Sequence, residues 1–127
     1  MKPCIVNYMQ TVKSQITEVT IDDLQAALAE GALVFDVREP QEHSQGVVPG
    51  ALAIPRGVLE FNLFNLPMLK DLSEEAAFDK PVYIYCASGG RSACAANSLQ
   101  QIGFNRVFSV AGGIKAWTDS GKQLIKP

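Results

Sequence analysis

The sequence predicts an α/β fold in which helices cover both faces of a mainly parallel sheet. Four short apolar runs, at 32–37, 51–54, 82–85 and 106–110, predict strands. Segments with helix caps or helical periodicity separate these runs, and such alternation is typical of parallel sheets. The runs at 32–37 and 82–85 are almost continuously apolar, as expected of strands that are buried on both faces.

The first predicted helix begins after Thr20, whose side chain can cap the free amides of a first turn. Asp22 and Asp23 follow in that turn, where the positive end of the helix favours anions. Gly31 can end the helix in a left-handed conformation. The strand at 32–37 follows at once.

The later helices are predicted from helix-breaking residues and from the periodic spacing of apolar residues. Residues 57–78 are expected to be mostly helical, with Pro67 dividing two segments. Another helix is expected to run from near position 92 to 103, and a last one over 114–120. Trp117 is expected to pack this last helix onto the sheet.

The composition is that of one globular domain. The chain has 127 residues, of which 47% are hydrophobic, enough to bury a core without a disulfide or a metal. Eleven Lys and Arg against 13 Asp and Glu give a net charge of -2, so no broad basic face for nucleic acid is expected. No apolar stretch approaches the length of a transmembrane helix, and we expect no membrane partner.

The three cysteines exclude a disulfide framework. Cys4, Cys86 and Cys94 are irregularly spaced, and no pair has the two-residue separation of a zinc knuckle, so no metal cofactor is expected. At least one thiol stays free, which suits a reducing compartment. Because polar residues interrupt the first 15 positions before a signal-length apolar run develops, a cytoplasmic location is expected.

Cys86 is the candidate catalytic residue. It follows the predicted strand at 82–85, and ligands of parallel sheets bind beyond the carboxyl ends of the strands. Two glycines let the next amides turn inward around an anion, and the following helix adds its positive end. A thiol in such a ring is expected to be a thiolate, the nucleophilic form, near neutral pH.

The residues around this cysteine are the candidate substrate-binding groups. Arg91 offers a planar fork of donors for an anionic sulfur donor such as thiosulfate. The same ring of amides would stabilise a persulfide anion on Cys86. The residues expected to form the ring are Ala87, Ser88, Gly89, Gly90 and Ser92.

These residues resemble the active-site loop of the single-domain rhodanese family, also described as thiosulfate sulfurtransferase-like. The run CASGGRS at 86–92 is similar to the family pattern Cys-x-x-Gly-x-Arg. The segments 36–39 and 42–51 and the pair Gly112-Gly113 with Trp117 are similar to further family elements, in the same order. One departure is Val47, which stands where the family often has His.

The resemblance implies a mainly parallel, five-stranded sheet. It also implies transfer of sulfane sulfur from a donor to a thiophilic acceptor, cyanide or a small or protein thiol, through a Cys86 persulfide and without a cofactor. Residues 16–127 would form the rhodanese-like domain and residues 1–15 an N-terminal extension. The sequence carries no indication of oligomeric state.

Two other functions are compatible with the sequence. Cysteine-dependent phosphatases and arsenate reductases of similar fold leave five residues between the catalytic Cys and Arg, whereas four intervene here. The shorter loop favours a single sulfur over a tetrahedral oxyanion. The domain could also be a non-enzymatic docking module or sulfur relay. The presence of both Cys86 and Arg91 argues against an inactive module but leaves a relay open.

Several residues receive structural interpretations. Asp36 and Arg38 are predicted to support neighbouring loops through ion pairs and are expected to point to different sides of the strand end. His43 lies in a polar loop with no evident partner and is expected to be exposed. Cys94 is expected to pack in its helix rather than to act as a resolving thiol.

Overall fold

The computed structural model describes residues 1–127 and contains eight α-helices and five strands. The strands are β1 Thr17–Val19, β2 Leu33–Asp36, β3 Leu52–Ala53, β4 Val82–Tyr85 and β5 Val107–Val110. The helices are α1 Pro3–Ser14, α2 Ile21–Ala29, α3 Pro40–His43, α4 Leu59–Asn62, α5 Pro67–Lys70, α6 Glu74–Phe78, α7 Gly90–Ile102 and α8 Gly113–Asp119. Two 3-10 turns lie at Arg56–Val58 and Leu63–Asn65.

All five strands belong to one sheet of order β1-β5-β4-β2-β3, and every neighbouring pair is parallel. The predicted mainly parallel sheet is therefore confirmed, as is the strand number that the family resemblance implied. The strand β4 is central, with Phe35 of β2 opposite Ile84. This position brings the carboxyl ends of β2, β4 and β5 together at one edge of the sheet.

Two hydrophobic clusters cover the two faces of the sheet, because successive side chains of a strand alternate. Val82, Ile84 and Cys86 belong to the larger cluster, which includes Leu99 of α7. Tyr85 belongs to the smaller cluster, beneath α2 and α8. Helices on both faces were predicted and are confirmed. Cys86 thus emerges on the side of the sheet that α7 covers.

The helix after Thr20 has the predicted cap in full. The Thr20 hydroxyl accepts a hydrogen bond from the Asp23 amide at 3.1 Å, and the Asp23 carboxylate accepts one from the Thr20 amide at 3.0 Å. This reciprocal arrangement satisfies two free amides of the first turn. It fixes where the chain leaves β1 and enters α2.

Two regions differ from their prediction. Residues 57–78 form short helical pieces rather than two segments, and Pro67 opens one of them. The first 15 residues, expected only to extend the domain, contain the 12-residue helix α1. Val12 is 2% exposed, so burial against the body of the protein stabilises this helix. No helix of the chain is both long and apolar enough to cross a lipid bilayer.

Candidate active site

Cys86 occupies the carboxyl end of the central strand. Only 1% of the residue is exposed, and its neighbours across the sheet are the ends of β2 and β5. Asp36 lies opposite Tyr85, and Ser109 lies opposite Ile84. The ends of β2 and β5 therefore place the buried polar side chains of Asp36 and Ser109 at the same edge of the sheet as Cys86.

The sulfur of Cys86 is surrounded by hydrogen-bond donors. The amides of Gly89 and Ser92 donate to Sγ at 3.1 and 3.4 Å, and the Ser92 hydroxyl lies 3.6 Å from it. The Ser92 hydroxyl is in turn 2.8 Å from that of Ser109, and both serines are fully buried. Every contact of Sγ is thus made by a neutral dipole.

These donors lower the pKa of Cys86. Burial of the thiol raises its pKa, but the hydrogen bonds from the Ser92 hydroxyl and from the amides of Ser92, Gly89 and Ser88 outweigh burial, so that the net direction is downward. A lowered thiol pKa increases the fraction of thiolate at neutral pH. The lowered pKa therefore favours the nucleophilic form of Cys86, as the candidate catalytic role requires.

The loop turns because Gly89 adopts a positive φ of 113° directly before α7. The helix begins at Gly90, two residues earlier than position 92, where the sequence predicted its start. Its 13 residues direct a positive end towards Cys86. The amides of the loop and of the first turn consequently converge on one atom.

The helix α8 supports the loop that follows β4 through two backbone hydrogen bonds. The amide of Ile114 donates to the Cys86 carbonyl at 2.9 Å, and that of Lys115 donates to the Ala87 carbonyl at 3.2 Å. At Gly113 a Cβ would overlap the carbonyl of Cys86, and φ is +53°. Glycine is therefore required here, which gives the Gly112-Gly113 motif a physical reason.

Arg91 forms an ion pair with Glu42, for which the sequence predicted no such role. Its guanidinium donates to Glu42 in a bidentate arrangement, with distances of 2.6 and 3.0 Å. The hydrogen bond from Arg91 lowers the pKa of Glu42 to about 2, and the same bond raises the pKa of Arg91. The pair links α3 to α7, and both side chains remain about one-third exposed. No sequence signal joins two residues 49 positions apart.

Asp36 and Arg38 form a buried ion pair. Arg38 Nη2 lies 2.8 Å from Asp36 Oδ2, and the same nitrogen donates to the Gly46 carbonyl at 2.8 Å. The prediction that the two side chains point to different sides is wrong, because residues two positions apart along an extended chain lie on the same face. The pair ties the 37–46 loop to the end of the strand.

His43 is not the exposed residue that the sequence analysis expected. It is 8% exposed, and its Nε2 lies 3.3 Å from Asp36 Oδ1, without the alignment of a hydrogen bond. The prediction was wrong because α3 folds back onto the ion pair and covers it. The carboxylate beside its Nε2 belongs to Asp36, seven positions earlier in the sequence.

The other cysteines lie apart from these groups. Cys94 is half-buried on α7 with its sulfur 3.8 Å from Sδ of Met9, and Cys4 is exposed on α1. No cluster of three or more metal-ligating side chains is present. Of the predicted ring, Gly89 and Ser92 thus make hydrogen bonds to the sulfur. Ser109 and Glu42, which no local motif predicts, contact Ser92 and Arg91.

Comparison with known proteins places these features in a family. A family profile described as a rhodanese-like domain matches residues 20–120. A sulfurtransferase of Allochromatium vinosum is 34% identical over 114 residues, covering 88% of this chain and 97% of that protein.

Two solved structures are similar over most of the chain. Human single-domain sulfurtransferase TSTD1 is 30% identical, with 80% of this chain and 95% of that chain covered and a TM-score of 0.68. A Rhodopseudomonas palustris protein of unknown function, described as a possible tyrosine phosphatase, is 32% identical over 92% of this chain and 90% of that one, with a TM-score of 0.75.

Proposed function

We propose a function from the premise that this chain belongs to the rhodanese-like domain family: transfer of sulfane sulfur through a persulfide on Cys86. Sulfurtransferase activity is supported by the similarity to proteins of that activity. The observation that carries the finer proposal is the ring of neutral donors around Sγ, in which two amides and one hydroxyl face the sulfur.

In the first step the Cys86 thiolate attacks the sulfane sulfur of a donor such as thiosulfate. The bond between the two sulfur atoms of thiosulfate breaks, sulfite leaves with the bonding electron pair, and a Cys86 persulfide anion forms. The amides of residues 87–92 then stabilise the negative outer sulfur as they stabilised the thiolate. No redox partner is needed, because sulfite carries away the displaced electrons.

In the second step a thiophilic acceptor attacks the outer sulfur of the persulfide. Cyanide becomes thiocyanate, or a thiolate becomes a persulfide, and the Cys86 thiolate is regenerated. Glu42 holds the Arg91 guanidinium beside the loop, and the remaining N–H groups of Arg91 have no partner in the protein. We propose that these groups orient the anionic donor.

The test is to incubate the protein with thiosulfate and to look for a mass increase of one sulfur atom. Cys86→Ser should abolish both this increase and cyanide-dependent thiocyanate formation. Cys94→Ser serves as the matched control and should retain both. Thiocyanate formation by Cys86→Ser at the wild-type rate would refute the assignment of the persulfide to this residue.

Phosphoryl transfer is the second candidate, because the similar Rhodopseudomonas palustris protein is described as a possible tyrosine phosphatase. The four residues between Cys86 and Arg91 leave a narrow ring whose donors already lie within 3.1–3.6 Å of Sγ. Such a ring favours one sulfur atom over a phosphoryl group. Hydrolysis of an aryl phosphate without formation of a persulfide would favour the phosphatase.

A further inference from the structure

The helix α1 forms a cavity wall beside the catalytic loop. The cavity has a volume of about 320 Å³, and two of its lining residues, Ser88 and Gly90, belong to the loop that surrounds Cys86. The remaining lining residues all come from the amino-terminal segment. They are Met1, Val6, Met9, Gln10 and Lys13.

The wall is one regular face of α1. Positions 6, 9, 10 and 13 are spaced three and four residues apart, so their side chains lie on the same side of a helix. Contacts on neighbouring positions fix this face. Val12 is buried, the Gln15 carbonyl accepts a hydrogen bond from Gln100 at 2.9 Å, and Met9 Sδ lies 3.8 Å from Cys94 Sγ.

This wall lies outside the part of the chain that defines the family. The family profile matches residues 20–120, whereas α1 spans Pro3–Ser14. The loop that surrounds Cys86 therefore lies within the family profile, and the face of α1 beside it lies outside that profile. A segment that lies outside the family profile but beside the loop shared by the family is suited to setting which substrate is accepted.

The size of the cavity exceeds what the small substrates need. Sites for small organic molecules measure roughly 300–1,000 Å³, and this cavity, at about 320 Å³, falls at the lower end of that range. A water molecule takes up roughly 30 Å³. Cyanide would leave most of the space empty, and an organic molecule of several carbon atoms would fill it.

The chemistry of the lining specifies the occupant further. Val6 and Met9 offer an apolar surface, and methionine adapts to flexible aliphatic chains. Lys13 has the only charged side chain in the lining, so an anionic group is favoured at its end. Its Nζ lies 3.9 Å from a Glu18 carboxylate oxygen, beyond hydrogen-bond distance, and the side chain is 43% exposed. This loose contact leaves the ammonium free to bind a ligand carboxylate.

We infer that this cavity binds the organic part of a thiol acceptor that carries a carboxylate, with the thiolate at the catalytic loop and the carboxylate at Lys13. The inference rests on the proposed persulfide on Cys86. The acceptor thiolate attacks the outer sulfur, the sulfur–sulfur bond to Cys86 breaks, and the acceptor leaves as an organic persulfide. One sulfur–sulfur bond forms as one breaks, so charge and electrons balance.

The experiment compares two six-carbon thiol acceptors that differ in their terminal group, which is a carboxylate in 6-mercaptohexanoate and an uncharged hydroxyl in 6-mercaptohexanol. The protein is first loaded with sulfur from thiosulfate, which is verified by mass, and the decay of the persulfide is followed with each thiol. Wild-type protein should prefer the carboxylate by about threefold to fivefold, as expected of one solvent-exposed ion pair. The ratio of the two rate constants cancels differences in the reactivity of the persulfide itself.

Substitution of Lys13 tests the assignment. Lys13→Gln should bring the ratio to about one, and Lys13→Glu should reverse the preference, because like charges then meet. The matched control is Lys80→Gln, which should keep the wild-type ratio, because Lys80 lies two residues before β4, at the end of that strand opposite to Cys86.

The outcomes separate this inference from the proposed function. A ratio near one in the wild-type protein, or an unchanged ratio in Lys13→Gln, would overturn the thiol site while leaving the persulfide intact. Absence of the persulfide after incubation with thiosulfate would overturn both. Equal loss of preference in Lys80→Gln would show a general effect of net charge and would also overturn the assignment to Lys13.

Discussion

Two buried polar clusters lie at the same edge of the sheet but stabilise a negative charge by different means. In the sulfur cluster, Cys86 with Ser92 and Ser109, only neutral donors face the sulfur. In the carboxylate cluster, Asp36 with Arg38 and His43, a guanidinium binds the carboxylate within the protein. An anion held by dipoles keeps its charge available for reaction, whereas an anion held by a countercharge becomes a structural bond.

This difference predicts that substitutions in the carboxylate cluster mainly lower the free energy of unfolding. Asp36→Asn removes the countercharge of Arg38, which is 5% exposed. An unpaired buried charge costs about 3–5 kcal/mol, and we expect a loss of that order in the free energy of unfolding, measured in urea.

The double substitution Asp36→Asn with Arg38→Met provides the control. It removes both charges and should recover part of the loss, because no uncompensated charge then remains buried. A single variant as stable as the wild-type protein would show that the ion pair does not support the fold.

The sulfur cluster should respond in reactivity instead. Burial raises the pKa of Cys86 and the Ser92 hydroxyl opposes that rise, so Ser92→Ala should move the pKa of Cys86 upward. One pKa unit corresponds to about 1.4 kcal/mol, and alkylation by iodoacetamide at neutral pH should slow by roughly tenfold. The rates of the two proteins should converge at a pH above both thiol pKa values.

Ser98→Ala is the matched substitution on the same helix. The Ser98 hydroxyl donates to Glu60 at 2.7 Å and does not contact the sulfur. Its alkylation profile should coincide with that of the wild-type protein. A shift in Ser98→Ala equal to that in Ser92→Ala would mean that α7 as a whole, rather than the hydroxyl at Cys86, sets the reactivity.

Local patterns in the sequence were sufficient to predict the structure wherever contacts between neighbouring residues determine it. The cap at Thr20 and the glycine turn after Cys86 depend on contacts within a few positions. The strand β1 was not predicted from the residue pattern, because three residues with two exposed side chains leave no apolar run. It exists because β5 offers it a parallel edge.

The polar contacts of the site were less predictable, for a related reason. Glu42 meets Arg91 across 49 positions and Ser92 meets Ser109 across 17, and neither distance follows from helical or strand periodicity. The burial of His43 could not be predicted from the sequence for the same reason. Its polar neighbours in the sequence predict exposure, whereas its burial depends on how α3 packs over Asp36.

The pair of Glu42 and Arg91 lies between the two clusters and should have the smallest effect. Both side chains are about one-third exposed, so solvent screens the pair and Glu42→Gln should lower the free energy of unfolding by only about 0–1 kcal/mol at neutral pH. The hydrogen bond from Arg91 lowers the pKa of Glu42 from 4.5 to about 2. Because the folded pKa lies below the unfolded one, the contribution is complete above 4.5 and is lost as the pH falls towards 2.

The difference in stability between wild-type protein and Glu42→Gln should therefore shrink as urea unfolding is repeated at successively lower pH. Glu30→Gln, at an exposed position without an ion pair, should show no such convergence from this cause. A Glu42→Gln loss as large as that of Asp36→Asn would contradict the comparison. It would mean that the degree to which an ion pair is exposed does not determine how much the pair contributes to the stability of the fold.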